Sequence, residues 1–93
     1  MKSIISNEKE CYICQTTQNL HKHHCIYGKG NRPLSEKYGL WIYLCYRHHN
    51  GSDDGVHFNY ALDEEIKKLS QRKWEEVYGD REQFIRIFGK SYI

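Results

Sequence analysis

The pattern of apolar and polar positions divides the chain into a β-type part and a helical part. Residues 20–26 and 40–44 are short runs that predict two strands. The second run is the stronger candidate, because it is aromatic or aliphatic throughout and follows Gly39. Between the strands, residues 27–33 contain two glycines and a proline and predict a loop, and residues 35–38 predict a single helical turn.

The C-terminal part changes to the three-to-four-residue apolar period of amphipathic helices. A long helix is predicted over residues 63–78 and a shorter one over residues 81–88. Asp80 and Gln83 match a capping box at the start of the shorter helix, and Gly89 ends it. These helices are predicted to serve as scaffold.

Length and composition indicate one small domain of the α+β class. At 93 residues, the chain buries only roughly 60–65% of its unfolded surface, so its apolar core is marginal. We expect residues 1–9 to form a loose N-terminal arm, residues 11–58 a metal-stabilised core and residues 59–93 a helical part. The apolar runs are shorter than the ~18 residues of a membrane span, and the start is too polar for a signal peptide. A cytoplasmic protein is therefore expected.

The distribution of cysteine and histidine changes this picture most. All four cysteines and all six histidines lie between Cys11 and His57. A chain without an export signal uses these residues in clusters mainly to hold a metal ion. Disulfide pairing is the less favoured alternative, since the cysteines are interleaved with histidines.

Two pairs with the same spacing predict a structural zinc site. Cys11 and Cys14 form one pair, and Cys45 and His48 form the second. Two such pairs about thirty residues apart can close a tetrahedral Cys₃His site around Zn²⁺. The alternative at this point is that His49 supplies the fourth ligand.

The remaining histidines suggest a second site. Adjacent side chains point in different directions, so the neighbours His48 and His49 should not share one ion, and neither should His23 and His24. One economical arrangement places His23, His49 and His57 around a divalent ion, with His24 beside it as an unliganded imidazole. A metal ion next to a free base is the composition of a hydrolytic centre.

Two further residues in this window have simpler interpretations. Cys25 has no partner at a suitable spacing and is predicted to be a small buried residue. His21 lies two residues before His23 and either orients a metal ligand or is exposed.

Charge is distributed unevenly, although the formal net charge is only +2. Residues 11–50 contain five basic residues and one acid, whereas residues 51–93 carry more acids than bases. The metal-rich half is thus the half suited to a phosphate backbone. The proposed phosphate-binding residues are Lys29, Arg32, Lys37 and Arg47. The alternatives are an ordinary solvated surface or a DNA surface on the long helix, with Lys67, Lys68, Arg72 and Lys73.

The order of these motifs resembles that of HNH (ββα-metal, or His-Me finger) endonucleases. Their usual motifs are Cys-x-x-Cys, Asp-His and Leu-Cys-x-x-Cys-His. Here His23-His24 stands in place of Asp-His, and Leu44-Cys45-x-x-His48-His49 in place of the last motif. The likeness is closer to small phage and prophage proteins related to the RecA-dependent (Ref-type) nucleases, and it covers residues 11–92. It rests also on stretches such as 35–40, 55–57 and 84–92.

The chain departs from the HNH pattern at two places. The middle asparagine of HNH would fall near Leu40, which cannot orient a base, and Asn31 or Asn50 is the candidate substitute. A histidine replaces the carboxylate metal ligand. A site with only neutral ligands binds Zn²⁺, Mn²⁺, Ni²⁺ or Co²⁺ in preference to Mg²⁺.

The resemblance implies a zinc-stabilised ββα-metal core with C-terminal helices. It also implies a metal-dependent DNA endonuclease of phage or prophage origin, active in recombination or DNA processing in a bacterial host. His24 would activate water, with His23 as the second candidate. The expected partners are DNA and a RecA-type recombinase filament. The alternative function is a non-catalytic zinc module that binds DNA or a recombinase.

Overall fold

A computed structural model describes residues 2–28, 30–51 and 55–93. That part of the chain is a small α+β structure with one two-stranded antiparallel sheet and four helices. In chain order the elements are β1 (Leu20–His24), α1 (Asn31–Tyr38), β2 (Trp41–Cys45), α2 (Tyr46–Asn50), α3 (Tyr60–Val77) and α4 (Arg81–Phe88). Among the described residues, no helix combines the length and apolar character that a membrane crossing requires.

The sheet brings the two metal-rich segments side by side. Leu20 pairs with Cys45 at one end, and His24 pairs with Trp41 at the other. The backbone N–H of Cys25 donates to the carbonyl of Leu40 at 2.9 Å and extends the pairing beyond β1. Both predicted strands are confirmed, although each is shifted or shortened by one or two residues at its ends.

Helix α1 is longer than the single turn that the sequence predicts. It begins at Asn31, so the prediction of a loop as far as Pro33 is wrong for its last three residues. A proline in the first turn of a helix is tolerated, because its missing N–H would have no partner there. Gly39 ends the helix in the left-handed conformation, with φ of 72°.

Helix α2 is not predicted from the sequence. It follows β2 directly, with Cys45 as its extended N-cap residue, and ends before Gly51. This turn of helix carries the adjacent residues His48 and His49. Because α2 follows β2 directly, both histidines lie at the end of the sheet.

The C-terminal helices match the predictions closely. Helix α3 begins three residues earlier than predicted, because the side chain of Asn59 caps it by accepting from the N–H of Leu62. Helix α4 has the predicted bounds and the predicted capping box. A core cluster joins these helices to residues near the strands; its buried members are Ile26, Leu40, Trp74, Phe84 and Phe88.

The N-terminal segment packs more closely than the expected loose arm. The N–H of Ile4 donates to the carbonyl of Gly39 at 2.9 Å, and the buried hydroxyl of Ser3 donates to the carbonyl of Trp41 at 2.6 Å. Ile4 and Ile5 pack against the core. Residues 3–5 therefore belong to the folded domain.

Candidate metal centres

The first cluster consists of four side chains whose sulfur and nitrogen atoms all lie within 4.8 Å of one another. They are Cys11, Cys14, Cys45 and His48. The Nδ1 atom of His48 lies 3.6 Å from Sγ of Cys11 and 3.3 Å from Sγ of Cys45. The sulfurs of Cys14 and Cys45 are 3.8 Å apart. These four residues can bind a metal ion, and the Cys₃His composition is typical of structural zinc.

Backbone hydrogen bonds hold the turn that carries Cys11 and favour the ionised form of its thiol. The turn that carries Cys11 is fixed by its N–H, which donates to the carbonyl of Thr16 at 2.8 Å, and by the N–H of Tyr12, which donates to Tyr43 at 2.9 Å. Burial opposes ionisation of Cys11, but backbone hydrogen bonds from Cys14, Cys45 and Ile13 lower its pKa to about 6. Thiolate is the form that binds metal.

The second cluster consists of three histidines that three separate segments contribute. His23 lies on β1, His49 on α2 and His57 in the turn before α3. One nitrogen of each ring lies within 4.8 Å of the other two. The Nε2 atoms of His49 and His57 are 3.1 Å apart. The ring centre of His23 lies 5.3 Å from that of His49 and 5.5 Å from that of His57.

Two properties of this cluster fit a bound cation. The Nε2 atom of His23 is buried and has no hydrogen-bond partner among the described residues. Burial first, and then the neighbouring histidines, lower the pKa of His23 to about 3 and that of His49 to about 4. Both rings are therefore neutral at physiological pH, and a neutral imidazole can offer a nitrogen lone pair to a metal. An ion would satisfy the buried nitrogen of His23, which otherwise costs free energy.

A cleft of about 260 Å³ opens onto the second cluster. Its lining residues are Lys22, His23, His24, Tyr27, Arg32, His49 and His57. Tyr27 forms one wall, with its ring in edge contact with His23 and His57. The hydroxyl of Tyr27 donates to Asp63 of α3 at 2.9 Å, which fixes that wall against the helical scaffold.

His24 lies beside the second cluster but is not one of its three ligands. Its Nε2 atom is 2.9 Å from Oε1 of Glu36, which lies on α1. Lys22 also contacts this carboxylate, with its ammonium nitrogen 2.9 Å from Oε1. Glu36 is not among the site residues predicted from the sequence. The signal that could have found it is that Glu36 is the one acidic residue between residues 11 and 50.

The structure also places the remaining candidates of this window. Nδ1 of His21 lies 3.1 Å from Nδ1 of His49, so His21 contacts a candidate ligand. Asn50 contacts the same nitrogen of His49 at 3.2 Å, whereas Asn31 donates to the carbonyl of Phe88 at 3.2 Å, away from the histidines. Cys25 is fully buried, as predicted, and burial raises the pKa of its thiol to about 12.

The proposed phosphate-binding residues occupy different positions. Arg32 lines the cleft at the second cluster. Lys37 lies on α1, with its ammonium nitrogen 5.3 Å from the ring centre of Tyr38, and Arg47 is exposed on α2. Lys29 lies outside the described residues.

The alternative basic surface on α3 is largely neutralised by acids of the same helix. Lys67 pairs with Asp63 at 2.9 Å. The side chains of Lys68 and Lys73 lie 3.7 and 3.6 Å from glutamates three residues away. These pairs reduce the positive potential of α3, so the side of the molecule that carries Arg32 is the better candidate for contact with phosphate.

Comparisons of the chain with protein-family models, curated proteins and solved structures find no match. The HNH resemblance therefore stays a prediction, and function has to be inferred from the geometry of the two clusters.

Proposed function

We propose that the protein is a metal-dependent DNA endonuclease of the HNH type, in which the second cluster is the catalytic centre. The observation that carries this proposal is the position of His24. Three histidines converge at an open cleft, and a fourth imidazole lines the same cleft without belonging to their cluster. A metal ion with an unliganded base beside it can support hydrolysis of a phosphodiester.

The two clusters would have different roles. The first cluster has four protein ligands, two of them cysteines with less than a tenth of their surface exposed, and leaves no position for a substrate. This is the composition of a structural zinc site. The second cluster has three protein ligands beside a cleft, so positions remain for water and a phosphate oxygen.

The residues that line the cleft would have different roles in the reaction. A divalent ion held by His23, His49 and His57 would stabilise negative charge on the phosphate oxygens. His24 would accept a proton from the attacking water as the new phosphorus–oxygen bond forms. The bond to the 3′ oxygen breaks, and this leaving oxygen, whose negative charge the ion would offset, takes a proton from solvent. Arg32 binds a non-bridging oxygen or a neighbouring phosphate and so positions the strand without reading its sequence.

The chemistry of the ligands bears on the identity of the ion. Three imidazoles without a carboxylate favour Zn²⁺, Mn²⁺ or Ni²⁺ over Mg²⁺, which prefers oxygen ligands. A RecA-type filament as partner and a phage or prophage origin follow only from the HNH resemblance.

Nicking of supercoiled plasmid tests the proposal. Wild-type protein and His24→Ala should be compared with Mg²⁺, Mn²⁺ and Zn²⁺, with a chelator-treated sample as control. We expect nicking by the wild type and a loss of roughly 10²–10⁴-fold in His24→Ala, as is usual when a general base is removed. A wild-type rate in His24→Ala would transfer the role of base to another residue, with His23 the first candidate. No cleavage with any ion, with or without a recombinase filament, would favour the non-catalytic binding module.

A further inference from the structure

Glu36 is the residue that links helix α1 to the candidate base. Its Oε1 atom lies 2.9 Å from Nε2 of His24, and both of its carboxylate oxygens contact Lys22, at 2.9 and 3.2 Å. His24 follows Lys22 by two residues on β1, so both side chains reach the same carboxylate from one face of the strand. A contact between residues twelve positions apart thus connects β1 with α1.

In the hydrogen bond between Glu36 and His24, the imidazole donates and the carboxylate accepts. Hydrogen bonds with His24 and then with Lys22 lower the pKa of Glu36 to about 2, so its carboxylate is ionised at neutral pH. An ionised carboxylate can only accept hydrogen bonds. Nε2 of His24 must therefore carry the proton, and in the neutral ring Nδ1 is left as the nitrogen that can accept one.

The backbone that carries Glu36 is fixed by its neighbour Ser35, which is fully buried. The hydroxyl of Ser35 donates to the carbonyl of Ile26 at 2.5 Å and accepts from the N–H of the same residue at 3.2 Å. The carbonyl of Ser35 accepts from the N–H of Leu40 at 2.8 Å. The two bonds between Ser35 and Ile26 tie α1 to the segment that follows β1, so the fold places the backbone of Glu36 close to that of His24.

We propose that Glu36 is a positioning residue that holds His24 in the tautomer with a proton on Nε2 and in the ring orientation needed for proton transfer. This inference rests on the proposed function in one respect, the role of His24 as a base. A carboxylate that orients a catalytic histidine also favours the imidazolium that forms when the ring accepts a proton. An exposed ion pair between Glu36 and Lys22 is the simpler explanation of the same carboxylate, and the experiments have to distinguish the two.

The first experiment measures the hydrogen bond without reference to cleavage. In metal-loaded protein with ¹⁵N-labelled histidine at neutral pH, NMR should detect a slowly exchanging Nε2–H proton on His24. We expect this signal to vanish in Glu36→Ala and to persist in the control Glu65→Ala, which removes a glutamate of α3 that lies 3.7 Å from Lys68. Persistence of the signal in Glu36→Ala, or its absence from the wild type, would overturn the proposal even if the protein cleaves DNA.

The second experiment is a double-mutant cycle on nicking rates. Glu36→Ala should lower kcat by roughly 10–100-fold with little change in KM, the range known for removal of the hydrogen-bond partner of a metal-binding histidine. The same substitution in a His24→Ala background should have no further effect, because the residue it positions is gone. Glu36→Asp should retain more activity than Glu36→Ala. An equal loss in both backgrounds would show that Glu36 acts independently of His24 and would contradict the proposal.

The two experiments separate this inference from the proposed function. If the wild type cleaves no DNA, the role of His24 as a base fails, and with it the catalytic part of the proposal for Glu36. The NMR result would then still decide whether Glu36 fixes the tautomer of His24.

Discussion

His48 and His49 are neighbours in the chain, yet their imidazoles belong to different clusters. Nδ1 of His48 lies 3.3 Å from Sγ of Cys45, whereas Nε2 of His49 lies 3.1 Å from Nε2 of His57. Successive side chains of a helix point in directions about 100° apart, so one turn of α2 serves two sites. Since the same backbone holds a ligand of each cluster, formation of the first site should help to position the second.

The first prediction concerns the structural site. Cys11→Ala should lose one zinc ion per chain and lower the free energy of unfolding by several kcal/mol, because metal binding contributes directly to folding here. Thermal melting and metal analysis of the purified proteins measure both effects. The matched control is Cys25→Ala, which removes another fully buried cysteine and should cost about 1 kcal/mol without loss of metal. Equal melting of wild type and Cys11→Ala would contradict a structural zinc.

The second prediction separates ligand from base. His49→Ala should lose the ion of the second cluster and retain the zinc of the first. His24→Ala should retain both ions, because its ring is not part of either cluster. Metal content per chain after gel filtration distinguishes the two variants. Loss of an ion from His24→Ala would place His24 among the ligands and require a different base.

The third prediction concerns binding to DNA. The double substitution Arg32→Gln, Lys37→Gln should weaken binding to all duplex sequences alike. It should also flatten the plot of log affinity against log salt by about 0.9 for each phosphate that the variant no longer neutralises. Lys68→Gln with Lys73→Gln on α3 is the control, because acids of the same helix already pair with both lysines. If only the control pair changes the slope, the DNA surface lies on α3.

The fourth prediction concerns pH. The pKa of His23 is lowered from 6.5 to about 3, mainly by burial. In protein that holds zinc at the first cluster only, its ring NMR signals should stay constant from pH 8 to about 5, while the urea-unfolded chain should titrate near 6.5. A midpoint near 6.5 in the folded protein would show that the ring is accessible to water.

The same shift has a consequence for stability. Well above pH 6.5, His23 is neutral in both the folded and the unfolded state, so it does not contribute to the pH dependence of stability. Below that value, the unfolded chain binds a proton at His23 that the folded chain does not bind until about pH 3, so acidification across this window destabilises the fold.

The sequence predicted the strands from short runs, of which β2 is apolar throughout, and the C-terminal helices from a regular apolar period and local caps. It missed α2, since Tyr46–Asn50 is short and has no apolar stripe. The bond that joins this helix to the turn after it, from the N–H of Val56 to the carbonyl of His48 at 2.8 Å, is not local in sequence. The start of α1 was wrong because Pro33 suggested a loop, although proline is compatible with a first helical turn.

The ligand sets followed from spacing, whereas the partner of His24 did not. Cys-x-x-Cys and Cys-x-x-His spacings indicate a shared ion directly, and the divergence of adjacent side chains separated His48 from His49. The set of His23, His49 and His57 was one economical arrangement of the histidines that remained, and the structure brings these three together. The hydrogen bond between Glu36 and His24 depends on how the loop between β1 and α1 folds back, and no local pattern specifies that path.

Occupancy of the second cluster and cleavage should rise together, and this is the most direct test of the central claim. Protein that carries only the structural zinc is titrated with Mn²⁺, bound Mn²⁺ is counted by electron paramagnetic resonance, and plasmid nicking is measured on the same samples. We predict no nicking at zero occupancy, a rate proportional to the fraction of chains with a second ion, and neither binding nor nicking in His49→Ala. Full nicking by protein that holds one ion per chain, or a filled second site without nicking, would contradict a catalytic role for His23, His49 and His57.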